Sequence, residues 1–71
     1  MNKPTERQMK AMVGILKKLG LTWDEVEGII TFIDSKEMLI EMVDRLEAKS
    51  FKLTPRQTKD ICYQVMVEYL T

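Results

Sequence analysis

The chain contains no histidine and a single cysteine, Cys62, among its 71 residues. A lone cysteine cannot close an internal disulfide, and the usual Cys/His zinc cage lacks its ligands. The imidazole that most often serves as general base is missing as well. Cys62 has neither a His nor a second Cys to lower its pKa, so it reads as a small core residue. Two prolines and three glycines supply no linker composition and no glycine-rich loop to cradle phosphates. No apolar run approaches the roughly 20 residues of a membrane span, and no signal-peptide apolar region follows the polar opening Met-Asn-Lys-Pro-Thr-Glu-Arg. A cytoplasmic location is the expectation. Neither sign of charge is in excess: 11 basic side chains balance 11 acidic ones. That argues against a general polyanion binder, whose affinity comes from surplus Lys and Arg.

What is present is a single domain's worth of amphipathic helix. With 45% hydrophobic and 31% charged residues, the chain has enough apolar material for a core and does not read as disordered. One pattern occurs four times: a Thr or Ser, then positions 4, 7, 8 and 11 residues on that fall along one helical stripe. From Thr5 these are Met9, Met12, Val13 and Leu16. From Thr22 they are Val26, Ile29, Ile30 and Ile33. From Ser35 they are Leu39, Met42, Val43 and Leu46. From Thr54 they are Thr58, Ile61, Cys62 and Val65, with Thr58 the one polar departure.

The polar leaders suit N-caps, whose side-chain oxygen accepts from an early unpaired helix N–H. Thr22 with Glu25, Thr54 with Gln57 and Thr5 with Gln8 have capping-box spacing, and Pro55 suits the first helical position. Asp34 competes with Ser35 for the third cap. Lys17, Lys18 and Gly20 form a good stop for the first helix, with Leu21 returning towards Leu16. These signals predict an all-α, compact bundle of four short helices near 5–19, 23–33, 35–49 and 55–70, partly orthogonal because the second and third helices have almost no linker. The expected core draws on Val13, Leu16, Val26, Ile29, Ile30, Leu39, Val43, Leu46, Leu53, Ile61 and Val65. Phe51 joins Leu53 in plugging it. Gly28, inside the second helix, is expected to permit close packing against a neighbouring helix, at a propensity cost of about 1 kcal/mol. Most methionines read as core filling, Met38 being the one expected at a surface.

The stretch Leu16-Lys-Lys-Leu-Gly-Leu-Thr-Trp-Asp-Glu-Val, continued by Ser35-Lys-Glu-Met-Leu-Ile-Glu-Met-Val, resembles a group of short proteins of gut Firmicutes. They share a Leu-Gly-Leu-Thr-x-x-Glu turn, a short apolar helix and a Met- and Leu-bearing helix. The likeness covers residues 9–47 and implies an all-helical bacterial protein. It carries no activity and no site residue. The Leu53-Thr-Pro-Arg-Gln segment departs from the acidic ending of that group.

No catalytic constellation emerges. Glu37, Glu41 and Asp44 share a helical face, but nothing marks a pocket that would perturb one of them for acid–base work. Asp24 to Gly28 lacks the ligand spacing of a calcium loop. The chain is therefore expected to be no enzyme, with no cofactor and no small-molecule substrate. A helix-turn-helix over Leu16–Ile33 would read DNA through Asp24, Glu25 and Glu27, which repel phosphates. The better nucleic-acid candidate is the start of the fourth helix. There Leu53-Thr-Pro-Arg-Gln-Thr-Lys resembles the opening of helix-turn-helix modules in bacterial regulators, and Lys52, Arg56 and Lys59 gather beside Lys49 and opposite Asp60. The competing reading is a solvated basic corner. It would balance residues 19–48, where eight acidic groups face only Lys36 and Arg45.

The most informative excess is apolar residues off the stripes. Phe32 and Ile40 point about 100–120° from the centres of their helices' apolar faces. Tyr63, Val67 and Leu70 give the fourth helix a second apolar side, so that helix either runs through the middle of the bundle or is covered by something else. Trp23 adds an aromatic of the type enriched at binding hot spots. The expected function is therefore a protein-interaction or regulatory module. It would use some of Trp23, Phe32, Ile40, Tyr63 and Val67 to bind a protein partner or a second copy as a homodimer. The nucleic-acid reading through Lys52, Arg56 and Lys59 is the alternative.

Overall fold

The computed structural model describes residues 2–71. Within them each helix starts where a hydroxyl caps it. Thr5 Oγ1 accepts from the Gln8 N–H at 3.1 Å, and the Thr5 N–H donates to Gln8 Oε1 at 2.8 Å. This reciprocal box opens α1 (Glu6–Lys18). The same arrangement of Thr22 with Glu25 opens α2 (Trp23–Ile30). Ser35, not Asp34, caps α3 (Lys36–Ala48), its hydroxyl accepting from the Met38 N–H at 3.1 Å. Thr54 with Gln57 opens α4 (Pro55–Leu70), with Pro55 at the first helical position.

The helix ends differ more than the starts. α1 closes with a Schellman turn: the Gly20 N–H donates to Lys17 O and the Leu21 N–H to Leu16 O. Gly20 supplies the left-handed residue at φ +94°, and Leu21 returns to the core. α3 closes by the same two bonds, from Ser50 to Glu47 O and from Phe51 to Leu46 O. Here no glycine is present, and Ser50 and Phe51 both sit at positive φ, 56° and 54°. α2 is shorter than its apolar pattern predicts, stopping at Ile30 instead of near 33. The Phe32 and Ile33 amides reach carbonyls three residues back, on Ile29 and Ile30, while the Thr31 hydroxyl donates to Glu27 O at 2.7 Å. This tight turn swings Ile33 inward, where it is 6% exposed, and frees the chain to enter α3.

The helices pair as α1 with α2 and α3 with α4, and contacts between α2 and α4 join the two pairs. The radius of gyration, 11.0 Å, is that of a fully collapsed chain of this length, about 11 Å. The core contains Met12, Leu16, Leu21, Val26, Ile29, Ile33, Met38, Leu39, Met42, Leu46, Cys62, Val65 and Met66. Thr58 is fully buried among them, its hydroxyl satisfied by donating to Thr54 O at 3.0 Å.

Five expected core residues, Val13, Ile30, Val43, Leu53 and Ile61, are instead half-buried at its edge. The four helical ones, Val13, Ile30, Val43 and Ile61, lie on the flanks of their stripes, about 100° from the deepest position, and Leu53 lies in the connection before α4. Met38, expected at a surface, is fully buried. Phe51, expected to plug the core, is exposed. Two successive left-handed residues carry it past the bundle, onto a groove with Ile15, Lys18 and Leu19. No helix among the described residues is long and apolar enough to cross a membrane.

Candidate functional site

α4 is held from two sides. On one flank Arg45 of α3 joins Glu41, at 2.7 Å, and makes a two-pronged bond to Glu68. The Arg45 guanidinium holds the Glu68 carboxyl below the usual range, and the two carboxylates raise the arginine in turn. On the other flank Lys59 Nζ meets Glu25 Oε2 of α2 at 2.6 Å. This bond lowers the Glu25 pKa and raises that of Lys59. α4 thus lies between α3 and α2 and is not wrapped on all sides.

The consequence follows from length. α2 has eight residues and α4 sixteen, so α2 runs out beside the middle of α4. Lys59, Tyr63, Val67 and Leu70 follow at helical spacing on the α2-facing flank of α4. Only the first has a partner on the α2 helix. Phe32, in the turn after α2, then lines a groove of about 260 Å³ with Met66, Val67, Leu70 and Thr71. Phe32 is 53% and Val67 62% exposed, and Tyr63, one turn before Val67, is exposed as well.

The five candidate interface residues are all exposed, but they do not form one patch. Phe32 and Val67 converge, and Tyr63 continues their seam. Trp23 lines a separate groove of about 240 Å³ with Val13, Val26, Ile30, Asp24 and Glu27. Lys17 covers one face of its ring, with Nζ 4.7 Å from the ring centroid while donating to Leu21 O at 3.0 Å. Ile40 lies about 160° around α3 from the buried Met42, on the outer face of that helix.

Gly28 is where the sequence reading was most mistaken. It is exposed, and a Cβ built on it would meet nothing within 4 Å. No neighbouring helix packs against it, so close packing inside the domain does not account for a glycine there. The three candidate nucleic-acid contacts are also separated by role. Lys59 is engaged by Glu25, whereas Lys52 and Arg56 are exposed and make no ion pair among the described residues. Lys52 shares a groove of about 320 Å³ with Lys49, Leu53, Gln57, Asp60 and Ile61. Cys62 is fully buried, which pushes its thiol up to about 11 and withdraws it from nucleophilic chemistry. Comparison with protein-family models, curated proteins and solved structures finds no match to this chain.

Proposed function

We propose that this domain is a non-catalytic protein-interaction module that binds through the apolar groove beside the second half of α4. The observation that carries the reading is the convergence of Phe32, Met66, Val67 and Leu70 on one open groove, three of them exposed large hydrophobics. Apolar side chains held in water at a groove, next to a helix otherwise fixed on both flanks, gain free energy when a partner covers them. Trp23 and Ile40, on other faces, are not needed for this contact.

Affinity capture from the native host's lysate, comparing the wild type with Phe32→Asp and Val67→Asp, tests the reading. Both variants are expected to keep the wild-type helical signal, because both sites are already open to water, and to lose a stoichiometric, nuclease-resistant partner. Capture of the same protein by all three forms would refute the groove. Partners lost on nuclease treatment, and on Lys52→Glu or Arg56→Glu, would transfer the function to the basic corner.

A further inference from the structure

We infer that copies of this chain associate head to tail, the Trp23 edge of one copy seating in the Phe51 groove of the next. The inference goes beyond the reading above, because neither surface belongs to the α4 groove. The first surface is carried by the start of α2. Trp23, the chain's single tryptophan, is 65% exposed. Lys17 covers one face of its ring, and the remainder is open to water. Asp24 and Glu27 line the same groove as Trp23. Both are exposed, and neither makes an ion pair among the described residues. Two free carboxylates against one lysine leave this edge acidic around an aromatic anchor, a residue type that dominates many interfaces.

The second surface has the opposite character. Ile15, Leu19 and Phe51 line a groove of about 310 Å³ with Lys18. Phe51 is carried there by two successive left-handed residues, Ser50 and itself, a conformation that neither side chain favours. Lys18 is exposed, as are Lys49 and Lys52 on either side of Phe51 in the chain. Gly20 lies against Pro55, so the end of α1 meets the start of α4 and adds the exposed Arg56 to this corner. None of these four cations makes an ion pair among the described residues. Glu47 and Asp60 are the carboxylates nearest them in the chain or in the adjoining groove, so the corner is net basic. The groove at Phe51 is lined by a free cation and by no carboxylate. The α4 groove offers no cation at all, and the groove of Lys49 and Lys52 already contains Asp60. An aromatic flanked by free carboxylates therefore finds its complement at Phe51.

The two surfaces cannot meet within one copy. Val13 lines the first and Ile15 the second, and two positions along a helix are about 200° apart around it. The grooves thus open on opposite flanks of α1. Contact between unlike surfaces that face apart does not close on a two-fold axis, and it adds copies in a row. The chain's zero net charge sets no general repulsion against this, while the opposite signs of the two surfaces orient it.

The test is sedimentation velocity of the whole chain over a concentration series, read together with the fluorescence of Trp23. The expected result is a monomer at about 10 μM and species beyond the dimer towards about 1 mM, the range of a weak contact of small area. Trp23 emission shifts to the blue as these species form, and added salt reverses both changes. Trp23→Ala weakens association at least about ten-fold, the loss typical of one interface anchor. Asp24→Lys with Glu27→Lys, and Lys18→Glu with Lys52→Glu, each prevent self-association, because each double change makes the two surfaces alike in sign. An equimolar mixture of the two double variants restores it, which unfolded variants would not do. A wild type still monomeric at about 1 mM, a species that stops at the dimer, or association indifferent to either charge reversal overturns the inference. Association kept by Trp23→Ala and lost on Phe32→Asp overturns it as well, by assigning self-association to the α4 groove.

Discussion

The same substitution, glycine to alanine, is expected to act with opposite signs at two positions of this chain. At Gly28 the backbone is ordinary right-handed helix, the site is exposed, and the new methyl meets nothing within 4 Å. The change removes backbone freedom from the unfolded chain and adds no strain to the folded one. It should stabilise by up to about 1 kcal/mol, or roughly 4–8 °C in melting temperature for a domain of this size. At Gly20 the backbone sits at φ +94°, and the new methyl would come within 2.9 Å of the Pro55 Cγ. The left-handed conformation alone costs an alanine about 1–2 kcal/mol. Pro55 is a rigid ring at the first position of α4, so relieving the clash shifts the start of that helix. Gly20→Ala should therefore destabilise by at least about 1–2 kcal/mol. Urea denaturation followed by far-UV circular dichroism measures both on one scale. A loss of stability at Gly28→Ala, or no loss at Gly20→Ala, would show that the local geometry of α2 or of the first turn is not as described.

Other expectations are tied to single features. Ser50→Gly should stabilise by about 0.5–1 kcal/mol in the same assay, because Ser50 holds the left-handed closing position of α3 that glycine occupies without strain. Thr54→Ala removes the hydroxyl that caps α4 and should cost about 1 kcal/mol. Met42→Ala empties a fully buried site and should cost about 2–5 kcal/mol, lowering the denaturation midpoint with the slope unchanged. In a pH series, Glu25 and Glu68 have folded pKa values below their unfolded ones because Lys59 and Arg45 bond them. Their contribution is present above about pH 4.3 and lost as pH falls through the depressed folded values. Cys62 has the opposite sign: its raised folded pKa favours the native state below pH 9.0, and that contribution fades as pH rises towards about 11. Thiol-reagent kinetics on the native chain should accordingly be slow until the chain unfolds.

The helix starts were legible because a cap is a local event. The hydroxyl and the residue whose N–H donates to it lie three residues apart, so Thr5–Gln8, Thr22–Glu25 and Thr54–Gln57 could be read without knowing the fold. The first helix stop was legible for the same reason, from Gly20. The stop of α2 was not: Ile30, Thr31, Phe32 and Ile33 continue a helical apolar pattern, and only the core's demand for Ile33 from a tight turn ends the helix early. Leu16, Val26, Ile29, Leu39, Leu46 and Val65 are buried as expected, and the difference lies one step around each helix, at Val13, Ile30, Val43 and Ile61. A stripe of positions 4, 7, 8 and 11 residues from the cap spans about 100° between its seventh and eighth members, and which edge is covered depends on where neighbours lie. In α1, α2 and α3 the seventh position (Met12, Ile29, Met42) is buried and the eighth half-buried. In α4 this reverses, with Cys62 buried and Ile61 at the edge.

The candidate surface was half legible. Period counting alone identified Phe32, Tyr63 and Val67 as off-stripe residues. Their grouping depends on α2 ending before α4 does, and Trp23 and Ile40 fall outside it because one lines a separate groove and the other lies on the outer face of α3. The Glu25–Lys59 and Arg45–Glu68 pairs that fix α4 join residues 34 and 23 positions apart, beyond the reach of helical spacing. Gly28 stands where a helix former belongs, and only the fold shows that the space above it is empty.

The central claim is that a partner docks on the groove of Phe32, Met66, Val67 and Leu70. Hydroxyl-radical footprinting of the folded chain, alone and after addition of its captured partner, tests it most directly. The account expects Phe32, Tyr63 and Leu70 to react readily in the free chain and to be protected together in the complex, while Trp23 and Ile40 remain unchanged. Protection centred on Trp23, or on Lys52 and Arg56, with Phe32 and Tyr63 still reactive, would contradict it.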